Sequence, residues 1–220
     1  MKTELVNYTP PDTAIRAMSK CYGKNCTIDS LVGACKSGHW SLLEHIMVTF
    51  DVECSQKVLA QIERHRHKSM TVQSTRGMDI SVNGFYDDFA GLNSKQKFML
   101  VSAYGAAAMQ YNNLLALGVP QETAAYVLPL GTNVKLTLTA NLREWMEYLK
   151  KRLCKRASNE HQKLAIELFE KLNYIYPRLC NLEMLGMCSN CKELSCDFTS
   201  HKKEPKKPVV LELKEKENGK

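Results

Sequence analysis

The chain has 220 residues, 44% hydrophobic and 24% charged, with 11 Gly, 7 Pro and a formal net charge of +7. That length and balance suit one domain with a real core, with or without a tail, and exclude a disulfide-stapled miniprotein, a collagen-like repeat and a wholly disordered chain. No apolar run approaches the roughly 18 residues that span a bilayer, so no membrane partner is expected. The opening MKTELVNYTPPD is polar by its third residue and lacks an apolar stretch with a small-residue cleavage site, which predicts a cytoplasmic protein. Nine scattered cysteines, an odd number, fit reduced thiols better than a disulfide framework. In the last twenty residues seven Lys oppose four Glu, so this segment carries +3 and leaves +4 for the rest. A mildly basic body suits nucleotides or other small anions and falls short of the concentrated stripe of a DNA-binding module.

In chain order, Thr13 to Met18 reads as a short helix capped by Asp12, and Ser30 to Lys36 as another ending before Gly38. Ile46 to Val52 is rich in β-branched and aromatic residues, which predicts a strand. Cys54 to Arg66 places Val58, Leu59 and Ile62 at helical spacing. STRGMDISVNGF, broken by Gly77, Asn83 and Gly84, is extended or looped. Ser94 to Leu117 is a long helix capped by Ser94 and ended by Gly118 and Pro120; Phe98, Val101, Ala108, Tyr111 and Leu115 supply its apolar spacing. Pro120 to Val127 is a short helix. NVKLTLTA alternates strictly, Val134, Leu136 and Leu138 against Lys135, Thr137 and Thr139, as a half-buried strand does. Helices over 142–156 and 158–175 complete the body. Strands this few and irregularly spaced predict a mixed α+β fold rather than a doubly wound sheet. From residue 199 the composition turns to Lys, Glu and Pro, predicting a mobile tail with a possible VVLEL strand. Met78, Met99 and Met109 are core candidates, and Trp40, Trp145 and His161 read as packing or surface residues.

The densest polar segment is QIERHRHKSMTVQSTR, residues 61–76. Five consecutive cationic or imidazole side chains, Arg64 to Lys68, fan out by about 100° each on a helix and cannot address one ligand, so the helix must end there or serve several surfaces. Gln61 with Arg64 or His65 can share a helix face. Ser74 and Arg76 share a face if extended, a hydroxyl beside a planar fork suited to phosphate or a pyrimidine edge. The plainer alternatives are a solvated basic helix end, a nucleic-acid patch, and for Ser74 a turn serine bonded to backbone.

Arg64, His65 and Arg66, then seven residues to Ser74 and x-R at Arg76, form a spacing that resembles the signature of the flavin-dependent thymidylate synthases. The resemblance extends over roughly residues 4–196. SGHWSLLEHIMVTFDV resembles that family's H-x-S/T-x-x-E-H block, matched by His39, Ser41, Glu44 and His45, and Gln61 stands three residues before RHR as the family's glutamine does. VLP, N-x-R and R-L-C-x-R-A segments follow, with Asn141, Arg143, Arg152 and Arg156. The resemblance implies a mixed fold with a small antiparallel sheet, a catalytic domain over residues 1–198, and a homotetramer holding FAD and dUMP at subunit interfaces. It implies reductive methylation of dUMP to dTMP, with methylenetetrahydrofolate as carbon donor and NADPH-reduced FAD as hydride donor. It places Arg64, His65, Arg66, Ser41, Asn141 and Arg143 on the flavin, His39 near flavin and folate, and Gln61, Ser74 and Arg76 on the nucleotide phosphate and sugar. Arg152 would meet the uracil ring, where a fixed guanidinium stabilises the charge that a hydride acceptor develops. Arg152 and Ser74 are the catalytic candidates, Ser74 as a positioning hydroxyl, since no nearby base activates it. No metal and no cysteine nucleophile are implied.

Two positions depart from the family pattern: Ala125 stands where an Arg usually helps hold the nucleotide, and Gly77 where a Tyr usually follows S-x-R. Lys135 is a candidate replacement for that Arg, but as an outward strand residue it is expected to face solvent. These departures motivate one alternative, a paralogue acting on another pyrimidine nucleotide. RHRHK and the Lys-rich tail motivate another, a non-enzymatic nucleic-acid-binding protein. Cys180, Cys188, Cys191 and Cys196 are enough for tetrahedral zinc by count, although their spacing is not that of paired knuckles and free thiols are the alternative.

Overall fold

In the computed structural model, which describes residues 2–89, 91–188, 191 and 196, the alternation of NVKLTLTAN becomes a strand over Asn133–Asn141. Val134, Leu136 and Leu138 are buried while Lys135 and Thr137 are exposed, as a pleated strand with one covered face requires. This is the fourth strand, β4, of a sheet completed by β1 (Lys2–Tyr8), β2 (Met47–Ser55) and β3 (Ser69–Val72), in the order β1-β2-β4-β3. The Thr49 and Thr139 hydroxyls lie 2.9 Å apart and Thr137 donates to Asp51, so residues rising along β2 face residues falling along β4. The small antiparallel sheet among helices is the expected architecture. β3 was not foreseen; a bond from Gln73 N to Lys135 O, 2.9 Å, leads its end against β4.

Eight α-helices accompany the sheet among the described residues: α1 (Asp12–Tyr22), α2 (Ile28–Lys36), α3 (Gln56–Ile62), α4 (Ser94–Ala116), α5 (Gln121–Ala124), α6 (Leu142–Arg152), α7 (Asn159–Ile175) and α8 (Leu182–Leu185). Several ends differ from expectation. Asp12 is the first residue of α1 rather than its cap, with Pro11 before it and no side-chain cap. Asn93, not Ser94, caps α4: its backbone is extended, its side chain accepts from Gln96 N at 3.0 Å, and Gln96 returns a bond to Asn93 N at 2.9 Å. α3 stops at Ile62 and α6 at Arg152, both four residues early. Met78, Met99 and Met109, expected in the core, are 52%, 65% and 56% exposed. The VVLEL segment and the tail from residue 199 lie outside the described residues.

The described residues divide into two compact units, one containing those up to Glu4 and those of Phe50–Leu138, the other Leu5–Thr49 and those from Thr139 on. The first has a core of Ile80, Tyr111, Ala124, Leu128 and Val134, against which Leu59, Val72, Leu114 and Leu115 pack. In this unit α4 lies on α5 and on the 3-10 turn Ala125–Val127. Gly131 lets the chain pass close to Tyr104: a Cβ there would stand 2.6 Å from the phenol oxygen, and Tyr104 is stacked on Phe85 at 4.9 Å.

In the second unit α6 presents an apolar face to α7, α8 and the 3-10 turn Trp40–His45, burying Leu142, Trp145, Met146, Tyr148 and Leu149. Two bonds tie α6 to the end of that turn and the start of β2: Leu142 N to Ile46 O at 2.7 Å, and Trp145 Nε1 to Val48 O at 3.1 Å. His161 is fully buried beside the Tyr148 hydroxyl at 2.9 Å, in keeping with the packing role expected of it and of Trp145.

Candidate functional site

In the first unit the RHR motif leaves a helix rather than riding on it. Ser55 caps α3, accepting from Val58 N at 3.2 Å, and Gln61 sits in the last turn, half-buried. The helix then closes with His65 N donating to Ile62 O at 2.9 Å. Arg64 lies in the closing turn and His65 and Arg66 beyond it, so the expected helical face shared by Gln61 with Arg64 or His65 is not formed. Consecutive cations spread round a helix would point apart; a chain leaving the helix need not spread them so.

Ser74 and Arg76 also differ from expectation. They are not extended: Arg76 lies in a turn, and its backbone N donates to Ser74 Oγ at 3.2 Å, the turn-serine alternative. The Arg76 Nε donates to Glu122 Oε2 at 2.8 Å. Its two Nη groups have no hydrogen bond among the described residues, so the end-on fork that matches a phosphate is open. Ala125 sits in the turn that follows α5, three residues beyond Glu122, and Gly77 is exposed beside Arg76.

In the second unit the motif residues stand on the 3-10 turn and on α6. His39 precedes the turn and Ser41 lies in it, both exposed. Asn141 caps α6, its Oδ1 accepting from Glu144 N at 2.9 Å, which leaves its amide donors. Two residues on, Arg143 donates from Nη1 to Glu44 Oε1 at 2.6 Å. Glu44 has no expected role beyond its place in the H-x-S/T-x-x-E-H block. Arg152 ends α6, nine residues after Arg143, hence about 14 Å further along the axis and on the opposite side. It is half-buried, and Arg156 is exposed in the following turn. The second unit therefore holds Asn141 and Arg143 at the start of α6, Arg143 against Glu44 of the 3-10 turn, and Arg152 at its end, while Trp40, between His39 and Ser41, lies under Lys150 Nζ at 3.9 Å. A cavity of about 410 Å³ in this unit, lined by Leu5, Glu167, Glu170, Lys171 and Tyr174, contains none of the candidate residues.

The cysteines fall out differently from their order in sequence. Cys180 is buried, its thiol pushed up to about 12 by that burial, and its carbonyl accepts from Asn173 Nδ2 at 3.0 Å. The Cys188 thiol is raised by desolvation and then by the thiols of Cys154, Cys191 and Cys196. Among the described residues no group of three or more His, Cys, Asp or Glu side chains is placed to hold a metal ion.

Comparison with known proteins points to one family. The family model described as thymidylate synthase complementing protein matches residues 4–178. The flavin-dependent thymidylate synthase of Saccharolobus solfataricus is 37% identical over 145 residues, 64% of this chain and 55% of that relative; the one from Geobacter sulfurreducens is 31% identical over 197 residues, 81% of this chain and 85% of that relative. The chain thus spans little more than half the length of the archaeal relatives it matches. Among solved structures, thymidylate synthase X from Helicobacter pylori, crystallised with FAD and dUMP, superposes with a TM-score of 0.70 at 24% identity, covering 84% of this chain and 99% of that one, a likeness of fold. With its family model matched from residue 4 to residue 178, the chain belongs to the thymidylate synthase complementing protein family.

Proposed function

We propose that this protein is a cytoplasmic flavin-dependent thymidylate synthase, converting dUMP to dTMP with methylenetetrahydrofolate as carbon donor and NADPH as reductant. The observation that carries the reading is the ordered set of motifs, from His39 through RHR and Ser74 to Arg152, inside the family match. Catalysis is assigned to residues 1–198. FAD supplies the hydride when bound. The donor set fits such a polyanionic cofactor: exposed Arg64 and Arg66, half-buried His65, the amide of Asn141 and the guanidinium of Arg143 offer donors and no metal-binding chemistry is asked of them.

The chain's own residues bind and orient. Arg76 offers its Nη fork to the dUMP phosphate, with Ser74 shaping the turn that presents it and Gln61 on the sugar. Arg152 holds the uracil oxygens and stabilises the charge that develops as the pyrimidine accepts hydride. His39 and Ser41 stand on the flavin and folate side.

Other copies of the chain complete the assembly, a homotetramer. From Phe98 to Leu117 there is no charged residue, yet of the 23 residues of α4 only Tyr111 is buried. A second copy of the chain packed on this uncharged face would cover it, which supports the assembly.

The test is the purified full chain. It should carry yellow FAD, and anaerobic NADPH with methylenetetrahydrofolate and dUMP should yield dTMP and tetrahydrofolate; Arg152→Ala should abolish turnover while retaining the flavin. Because Ala125 and Gly77 depart from the family pattern, other pyrimidine deoxynucleotides are assayed beside dUMP, and product from one of them with none from dUMP would overturn the substrate assignment. A colourless protein with steeply salt-dependent oligonucleotide binding would overturn the enzyme assignment altogether.

A further inference from the structure

Arg143 and Glu44 are presented by two braced segments. The 3-10 turn is anchored by buried Leu43 and followed by buried Ile46, and α6 is anchored by buried Leu142 and Trp145. The bonds Leu142 N to Ile46 O and Trp145 Nε1 to Val48 O lock α6 to the chain just after Glu44. Beside these ties the Arg143 Nη1 reaches Glu44 Oε1 at 2.6 Å, with the side chains 42% and 48% exposed. Glu44 engages one terminal nitrogen, and Arg143 makes no other hydrogen bond among the described residues. The Nε and Nη2 groups, which form the side edge of the guanidinium, therefore stay together as a two-donor fork with a fixed direction.

We propose that Glu44 is a positioning residue that aligns Arg143 for FAD, acting through the guanidinium and not on the cofactor itself. This rests on the flavin reading of the site. Without the carboxylate, a long side chain on a partly solvated surface must be ordered by the cofactor when it binds, and ordering one rotamer-rich side chain weakens binding by roughly three- to tenfold. The pair adds little to folding, because half-exposed ion pairs contribute about 0–1 kcal/mol. Glu44→Gln keeps an oxygen acceptor at the same reach, whereas Glu44→Ala does not.

The experiment is titration of the FAD-stripped full chain with FAD, read by quenching of flavin fluorescence, for wild type, Glu44→Ala, Glu44→Gln, Arg143→Ala and the Glu44→Ala, Arg143→Ala pair, with melting temperatures alongside. Expected are a Kd raised about three- to tenfold in Glu44→Ala, within about twofold of wild type in Glu44→Gln, and no further loss from Glu44→Ala once Arg143 is Ala. Melting temperatures of the stripped proteins should agree within a few degrees. Unchanged or tighter binding by Glu44→Ala, a Gln variant as weak as the Ala variant, or additive effects in the pair would overturn the role of Glu44 while leaving the flavin reading intact. No FAD binding by wild type would overturn both.

Discussion

Tyr111→Phe removes one oxygen from the centre of the first unit, and the structure predicts that the protein becomes more stable. Tyr111 is 0% exposed and packs with Ile80, Ala124, Leu128 and Val134, none of which offers a side-chain partner to a phenol. Its Oη is buried and has no hydrogen-bond partner among the described residues. A buried hydroxyl without a bond carries a desolvation penalty of about 1–3 kcal/mol, while the dispersion lost with one oxygen is a few tenths. The penalty dominates, so Tyr111→Phe should gain about 1 kcal/mol or more. For a chain of this size that is a rise of about 2–4 °C in melting temperature, measured at fixed protein concentration because assembly also moves it. Urea unfolding should show a higher midpoint at unchanged slope. A loss of more than about 0.5 kcal/mol would refute the reasoning, since a made hydrogen bond is worth about 0.5–1.5 kcal/mol and its loss would reveal a partner in solution, an ordered water or another subunit.

Ala125→Arg restores a second guanidinium three residues beyond Glu122, the partner of Arg76. It should lower the KM for dUMP by roughly ten- to a hundredfold, the worth of one charge-assisted bond to phosphate, and an unchanged KM would mean that the phosphate is anchored elsewhere. Stability should also fall in alkali. Burial pushes the Cys35 thiol up to about 11 and that of Cys180 up to about 12, from an ordinary 9.0. The unfolded chain loses these protons first, so their contribution is complete below about pH 9 and is lost as the pH climbs through the folded values. Melting temperature should drop steadily above pH 9, less steeply in a Cys35→Ala, Cys180→Ala variant; equal slopes would exclude these thiols as the cause.

Much of the fold was legible because its signals are local. The alternation along β4 follows from the two-residue period of a strand, and it placed Val134, Leu136 and Leu138 inside correctly. Helix starts were legible to within a few residues, since several good capping residues stand together and the one with extended backbone wins, as Asn93 does over Ser94. The three methionines were misplaced because apolar character alone does not say whether an element finds cover within its own chain.

The sequence by itself determined the family motifs, the mixed fold and which residues of β4 share its covered face, since each depends on residue type and short spacing. Only tertiary structure decided which side chains meet. Glu122 holds Arg76 from 46 residues away and Glu44 holds Arg143 from 99. Pairings across such separations depend on where the chain turns back on itself, which no local periodicity encodes, and that is why two carboxylates outside the expected ligand set now direct the candidate arginines.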